Sequence, residues 1–237
     1  MTKNFEVRED IDPKRESLVL LSDPKISSIP ISECGEHLVR LEPSSKLTID
    51  PKFGEVDTRY SFVRISVAKG LYRASEALPS ELELRIYEGW RPRSIQERYF
   101  YDFVDELRGM YKDAQEDELN RLASRYVAPP WIAPPHVTGA AVDLTLAYVD
   151  GPELDMGTKV NESPEESGMR CYMDSNEISD EARRNRKVLS RVLKAQGFAN
   201  YPTEWWHWSM GDQYWCFIYG HSSARYGETK PQQPSVA

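Results

Sequence analysis

Cysteine is scarce. The three residues Cys34, Cys171 and Cys216 are scattered singly, with no CxxC pair. That excludes a disulfide framework, and none of them reads as a metal ligand. Residues 1–14 are charged and lack an apolar h-region, so no signal peptide is visible. An odd cysteine count without such a signal points to reduced thiols in the cytoplasm. No apolar run approaches the ~20 residues that a membrane helix needs. No Lys/Arg block stands out, and the net charge is −8, which excludes nucleic acid and an anionic membrane as partners. There is no internal repeat and no linker that would divide two domains. The sequence does not speak to oligomeric state.

The 237 residues are 40% hydrophobic, with six Trp and 13 Tyr, enough for a sizeable core. Residues 1–14 read as a flexible, polar N-terminus and residues 221–237 as a loose polar tail, leaving 15–220 as the domain. Residues 25–56 read as loops and short strands. Val63, Val67, Leu71, Ala74 and Leu78 recur at helical spacing within residues 57–78, and Pro79 closes that helix. Leu82, Leu84 and Ile86 alternate with Glu83, Arg85 and Tyr87 as a strand. Ser94 and Glu97 have capping-box spacing, with Ile95, Tyr99, Phe103, Leu107 and Tyr111 as the buried stripe of the next helix. A shorter helix follows over 117–125. Four prolines in 127–135 predict a stiff, extended approach to His136. A helix is predicted from Ser179 to about Gln196, with Gly197 as its C-cap. Residues 205–209 and 214–219 read as strands joined by a turn.

The run from His136 to Asp143 is where the chemistry gathers. Val142, Leu144 and Leu146 alternate with Ala141, Asp143 and Thr145, the period of a half-buried strand. A carboxylate buried there needs a cation, a cluster of donors or a metal beside it. Histidine is rare: His37, His136, His207 and His221 are the four. His207 lies in the aromatic segment Glu204-Trp205-Trp206-His207-Trp208-Ser209. Residues three apart on an ideal strand face opposite sides, so Glu204 and His207 share a site only if the backbone bends near Trp205.

Two imidazoles and a carboxylate are a common protein ligand set for catalytic zinc, which leaves a fourth position for water. A carboxylate outside the ligand set then takes the proton, and Glu204 suits that task. A fixed cation steadies the charge on an attacked carbonyl, and Arg91 before Pro92 is the candidate. Blander readings stand beside these. A histidine among tryptophans also serves as a satisfied core residue. Asp143 reads equally as a strand-end hydrogen-bonder, Arg91 as a salt-bridge partner, and Trp205, Trp206 and Trp208 as core. Gly139 eases the start of the strand. His37 and His221 read as surface residues. Spacing alone does not join 136–143 to 204–207.

His136-x-x-Gly139-x-Ala141-x-Asp143, with Glu204-x-x-His207 downstream and Gly89-Trp90-Arg91-Pro92 upstream, resembles the D-alanyl-D-alanine dipeptidases. These are vancomycin-resistance-type zinc enzymes, in a wider group with D-Ala-D-Ala carboxypeptidases, lysostaphin-type peptidases and hedgehog domains. The resemblance covers roughly residues 15–220. It implies a single α+β domain, an antiparallel sheet flanked by helices, with the zinc site on the sheet. It implies one Zn2+ per chain on His136, Asp143 and His207, with Glu204 as general base and proton donor and Arg91 steadying the tetrahedral intermediate. It implies a cytoplasmic metallopeptidase acting on a small D,D-dipeptide from cell-wall metabolism. Three positions depart from the family pattern. Pro134 stands where a serine is frequent. Trp90 replaces a more usual tyrosine. Asn161, followed by Glu162, occupies the position of an aspartate that holds the substrate ammonium. These departures leave room for a carboxypeptidase or amidase acting on a larger or N-modified peptide. A reading from another class is a zinc-containing binding module without catalysis.

Overall fold

Alternation of apolar and polar residues builds the centre of the molecule. In the computed structural model, which describes residues 18–50 and 59–232, Leu82–Glu88 forms strand β4 and Ala141–Tyr148 forms β5. They pair antiparallel, with Leu84 opposite Leu146 and Ile86 opposite Leu144. Before them come helix α1 (Pro24–Ser27), strands β1 (Leu38–Arg40), β2 (Leu47–Ile49) and β3 (Phe62–Arg64), and helix α2 (Ile65–Glu76). Between β4 and β5 lie helices α3 (Arg93–Met110), α4 (Glu116–Ala123) and the single turn α5 (Pro135–Thr138). After β5 follow α6 (Pro164–Ser167), α7 (Asp180–Lys194), β6 (Ala199–Asn200), β7 (His207–Ser209) and α8 (Gln213–Tyr219).

The main sheet has the order β2-β4-β5-β7-β6. Its four strands from β4 to β6 are antiparallel, while the edge strand β2 runs parallel to β4. One face buries Leu84, Ile86, Val142, Leu144 and Leu146 with Val67 and Leu71 of α2 and Leu189 and Leu193 of α7. The other face carries Asp143. The result is the single-domain α+β architecture expected, with one parallel edge added to the antiparallel sheet.

Several elements differ from the sequence expectation. The 57–78 helix begins only at Ile65, because Val63 belongs to β3 and pairs with Val39 of β1; residues 57 and 58 lie outside those described. The Ser94/Glu97 capping box does not form. Pro92 stands at the N-cap of α3 and no side chain caps it. The buried face of α3 is Gln96, Phe100, Val104 and Leu107; it keeps Leu107 of the predicted stripe but is otherwise turned by one residue from Ile95, Tyr99 and Phe103. Residues 214–219 are helical, not a strand. The Asp212 carboxylate accepts from the Trp215 amide at 2.7 Å, and Gly220 ends the helix in the left-handed region. Tyr148 and Val149 lie at the exposed end of β5.

By contrast α7 starts where predicted, with the Ser179 hydroxyl accepting from Ala182 N. The described part of the C-terminal segment, predicted to be loose, is anchored at two points: Ala224 and Tyr226 are fully buried, while residues 233–237 lie outside those described. The N-terminal residues 1–14 lie outside those described. The three cysteines are unpaired, with Cys171 and Cys216 buried and Cys34 exposed. Among the described residues no helix is long and apolar enough to cross a membrane.

Candidate metal centre

Pro134 and Pro135 fix the approach to His136, but not as an extended strand. Pro134 is extended (φ −60°, ψ 134°), and Pro135 then opens the single helical turn α5 at its first position. Proline suits that position because its missing N–H is unneeded there and its φ is already helical. The turn ends at Gly139 with φ +71°, a conformation that favours glycine. The chain then enters β5. His136 and Asp143 are thereby brought to the same face by a helix turn followed by a strand.

The third partner comes from β7. Asp143 and His207 are register partners across β5 and β7. His207 Nδ1 lies 3.0 Å from Asp143 Oδ1 and 3.2 Å from His136 Nε2, and His136 Nε2 lies 3.4 Å from Asp143 Oδ2. All three residues are buried. A tetrahedral zinc with bonds of about 2.0–2.1 Å has ligands spaced about 3.3 Å apart. Each of these separations is close to that spacing, the donor set suits zinc, and one donor atom from each residue lies within 4.8 Å of the others, a group able to hold a metal ion. His136 Nδ1 is 2.7 Å from the Gly89 carbonyl, a bond that places a proton on Nδ1 and leaves Nε2 bare. Burial opposes ionisation of Asp143, yet the charges and hydrogen bonds of the two imidazoles outweigh it and hold the carboxyl well below the usual range.

Glu204 lies outside the triangle. A turn in which the His207 amide donates to the Glu204 carbonyl at 3.2 Å supplies the bend that the spacing required. Its Oε2 is 3.8 Å from His207 Nδ1, and 26% of its side chain stays open to the pocket. Burial and the Asp143 charge raise its pKa, against the pull of His207, His136 and Arg91.

Arg91 is anchored by residues that sequence reasoning passed over. Its Nε and Nη2 donate to the Glu88 carboxylate at 2.8 and 2.5 Å, and its Nη1 donates to Gln96 Oε1 at 2.8 Å. The salt-bridge reading of Arg91 is thus realised at the pocket wall. Desolvation would lower its pKa, but Glu88 raises it further, so the guanidinium stays charged. Glu88 reaches this face because the β4–β5 register shifts between Ile86 and Glu88. Glu88 rather than Tyr87 is then opposite Asp143, since a one-residue shift turns a side chain to the other face. The available signal was the three-residue spacing of Glu88 and Arg91.

A cavity of about 480 Å³ opens on these groups. Arg91, His136, Asp143, Glu204 and His207 line it, and so do Asn161 and Glu162. Asn161 sits in the left-handed region at φ 63°, and the Glu162 carboxylate accepts from the Lys159 amide at 2.9 Å. His37 and His221 are exposed and away from the site, with His221 stacked on Trp215. Trp205, Trp206 and Trp208 pack in the core, and Trp206 also reaches the cavity.

An α+β domain in which a helical turn and two sheet strands bring two histidines and an aspartate to metal-ligand spacing, with a carboxylate at the pocket wall, has the parts of a metallopeptidase. The particular family follows from comparison. The model of the D-Ala-D-Ala dipeptidase family matches residues 52–226, and the chain belongs to that family. A D-alanyl-D-alanine dipeptidase of Synechocystis is 30% identical over 220 residues, covering 81% of this chain and 89% of its own. That of Escherichia coli K12 is 30% identical over 148 residues, covering 59% and 65%. The crystal structure of a vancomycin-resistance D,D-pentapeptidase mutant in complex with Zn(II) covers 81% of this chain and 89% of that chain, at 15% identity and a TM-score of 0.43.

Proposed function

We propose that this protein is a zinc-dependent hydrolase of D-alanyl-D-alanine or a closely related D,D-dipeptide. The observation that carries the proposal is the buried His136–Asp143–His207 triangle with Glu204 beside it, outside the ligand set. His136 Nε2, Asp143 and His207 Nδ1 would hold one zinc per chain. When bound, the metal supplies Lewis acidity toward a carbonyl and lowers the pKa of water.

Glu204 takes a proton from the attacking water and delivers it to the leaving amine. Its raised pKa suits both halves of that task, because such a carboxylate accepts a proton more readily than an exposed one. Arg91 faces the negative oxygen of the tetrahedral intermediate. Three of its five N–H groups are committed to Glu88 and Gln96, which fixes the plane of the guanidinium. Each terminal nitrogen keeps a further hydrogen. Asn161 and Glu162 would meet the amino end of the substrate. Cell-wall dipeptide metabolism in the cytoplasm is the setting that this reading supports.

The test is release of D-alanine from D-alanyl-D-alanine by the purified chain, with and without a chelator. Activity that is lost on chelation and regained with zinc supports the reading. Turnover that a chelator leaves untouched defeats it.

One observation favours a second reading. Asn161 presents a neutral amide to the cavity, and the Glu162 carboxylate is engaged with the Lys159 amide. An amide is a weaker partner than a carboxylate for an ammonium group. A peptide lacking a free ammonium, N-acylated or longer, then becomes the substrate of a carboxypeptidase or amidase. Rates on free and N-acylated D,D-dipeptides separate the two. Cleavage of free dipeptides alone rejects the second reading.

A further inference from the structure

Three consecutive residues of the C-terminal segment grip the back of the candidate metal centre. Gly227 accepts from Arg64 Nη2 at 2.9 Å and donates to Glu33 Oε2 at 2.7 Å. Glu228 accepts from Arg93 Nε at 2.7 Å. The Thr229 carbonyl accepts from the Trp90 indole N–H at 2.9 Å, and the Thr229 amide donates to the Val137 carbonyl at 3.3 Å. Trp90 precedes Arg91, and Val137 follows His136. One residue of the tail therefore bridges the two segments that carry the candidate oxyanion partner and a candidate metal ligand.

The same two segments also clasp each other directly. Arg91 N donates to the His136 carbonyl at 3.2 Å, and His136 Nδ1 meets the Gly89 carbonyl at 2.7 Å. Arg64, itself fully buried, adds a bond from Nε to the Thr138 carbonyl at 2.7 Å. Trp90 is 2% exposed, so its indole N–H has no water to fall back on. A buried N–H left without an acceptor costs roughly 1–3 kcal/mol, which keeps the tail in place.

We infer that residues 227–229 are a positioning strap for the metal centre: they hold the Gly89–Arg91 and His136–Val137 segments at fixed separation through the Trp90 indole and the Thr229 backbone. The strap touches neither metal nor substrate. It acts by keeping His136 Nε2 and the Arg91 guanidinium where the site needs them. It also gives the tryptophan at position 90 a task that a packing role alone would not require. The inference rests on the metal-centre reading above.

Two variants cut the strap at opposite ends. Trp90→Phe removes the indole donor and keeps an aromatic ring. Thr229→Pro removes the amide donor to Val137 and leaves the tryptophan. Zinc affinity is measured by chelator competition on the folded full-length proteins, with kcat and KM for dipeptide hydrolysis and the unfolding midpoint of the metal-free form alongside. Lost support for a ligand typically costs about 10–100-fold in metal affinity or activity. Each variant is therefore expected to lose about tenfold or more in zinc affinity or in kcat, with KM and the metal-free midpoint near those of the parent. Zinc affinity and kcat equal to the parent's in both variants, with only the midpoint lowered, would mean a merely structural tail and overturn the inference. If the parent cleaves no D,D-dipeptide, the functional reading falls, while the zinc measurement still decides for or against the strap.

Discussion

Asp143 and His207 face each other across β5 and β7 as register partners, 64 residues apart in sequence and 3.0 Å apart in space. The pairing places the imidazole against the carboxylate before any metal is present. It also answers what a buried aspartate does on a strand of Ala, Val and Leu. Its partners are the two imidazoles of the donor triangle. Glu88, opposite Asp143 on β4, continues the row to Arg91. Asp143, His207, Glu88 and Arg91 thus form one connected row, with His136 and Glu204 beside it.

Removing a donor should remove the metal. His136→Ala and His207→Ala each leave two of the three ligand atoms. Even outer-shell changes cost about 10–100-fold in metal affinity, so loss of a ligand should exceed about a hundredfold. Metal content after dialysis checks this, and full zinc occupancy in both variants would refute the site.

Glu204→Gln should separate binding from chemistry. The amide keeps the size of the carboxylate and leaves the triangle intact, but it takes no proton. Positioned acid–base groups contribute typically about 10²–10⁴-fold, so kcat should fall in that range with zinc content unchanged. Undiminished turnover would remove Glu204 from the mechanism.

Glu88 and Arg91 should be more costly to separate than to remove together. Both side chains are largely buried, at 6% and 13% exposure. Deleting one partner of such a pair costs roughly 3–5 kcal/mol, because a buried charge is left alone. Glu88→Ala should lower stability by about that amount. The double variant Glu88→Met with Arg91→Met should recover most of it and remain inactive. Chemical denaturation and dipeptide turnover on the same samples check both halves. An active double variant would show that Arg91 serves only the fold.

Gly139 is more than an easy start to the strand. Its φ is +71°, and an added Cβ would overlap Leu38 Cδ2. Gly139→Ala therefore adds left-handed strain and a clash one residue before Ala140 leads into β5. A strained backbone position costs of order 1–3 kcal/mol, and stability should fall by about that. An unfolding midpoint equal to the parent's would show that Leu38 and the turn relax at no cost.

Much of this was legible in the residues themselves. Ser179 caps the start of α7, whose C-cap is Ala195 rather than the predicted Gly197, and period-two alternation marks β4 and β5. The histidine, aspartate and glutamate motifs stand at the cavity. What escaped is what long-range contact decides. Nothing local pairs Asp143 with His207. Gln96 is buried because its amide bonds both Arg91 and the Ala128 carbonyl, so a stripe drawn from apolar residues cannot include it. The aromatic run 214–219 has the composition of a strand, but Asp212 and Gly220 cap it as a helix. The tail reads as polar, and the bonds that dock Gly227 and Thr229 come from Arg64, Trp90 and Val137, all far away in sequence.

The pH response should change sign of interest with metal loading. Burial lowers the pKa of His207, but the Asp143 hydrogen bond and charge, with Glu204 and Asp212, raise it above the ordinary 6.5. In the metal-free protein a raised folded-state pKa means that proton binding stabilises the fold. That stabilisation is fully present below the unfolded value of about 6.5 and is lost as pH rises through the folded value. Zinc needs the unprotonated nitrogen, so it competes with the same proton, and its apparent affinity falls as pH drops through that value. Unfolding midpoints of chelator-treated and zinc-saturated protein should therefore diverge as pH is raised above the unfolded value of about 6.5 and through the folded one. Metal-free stability declines over that window while the loaded form gains from tighter zinc. Parallel curves would mean that His207 does not exchange a proton for the metal.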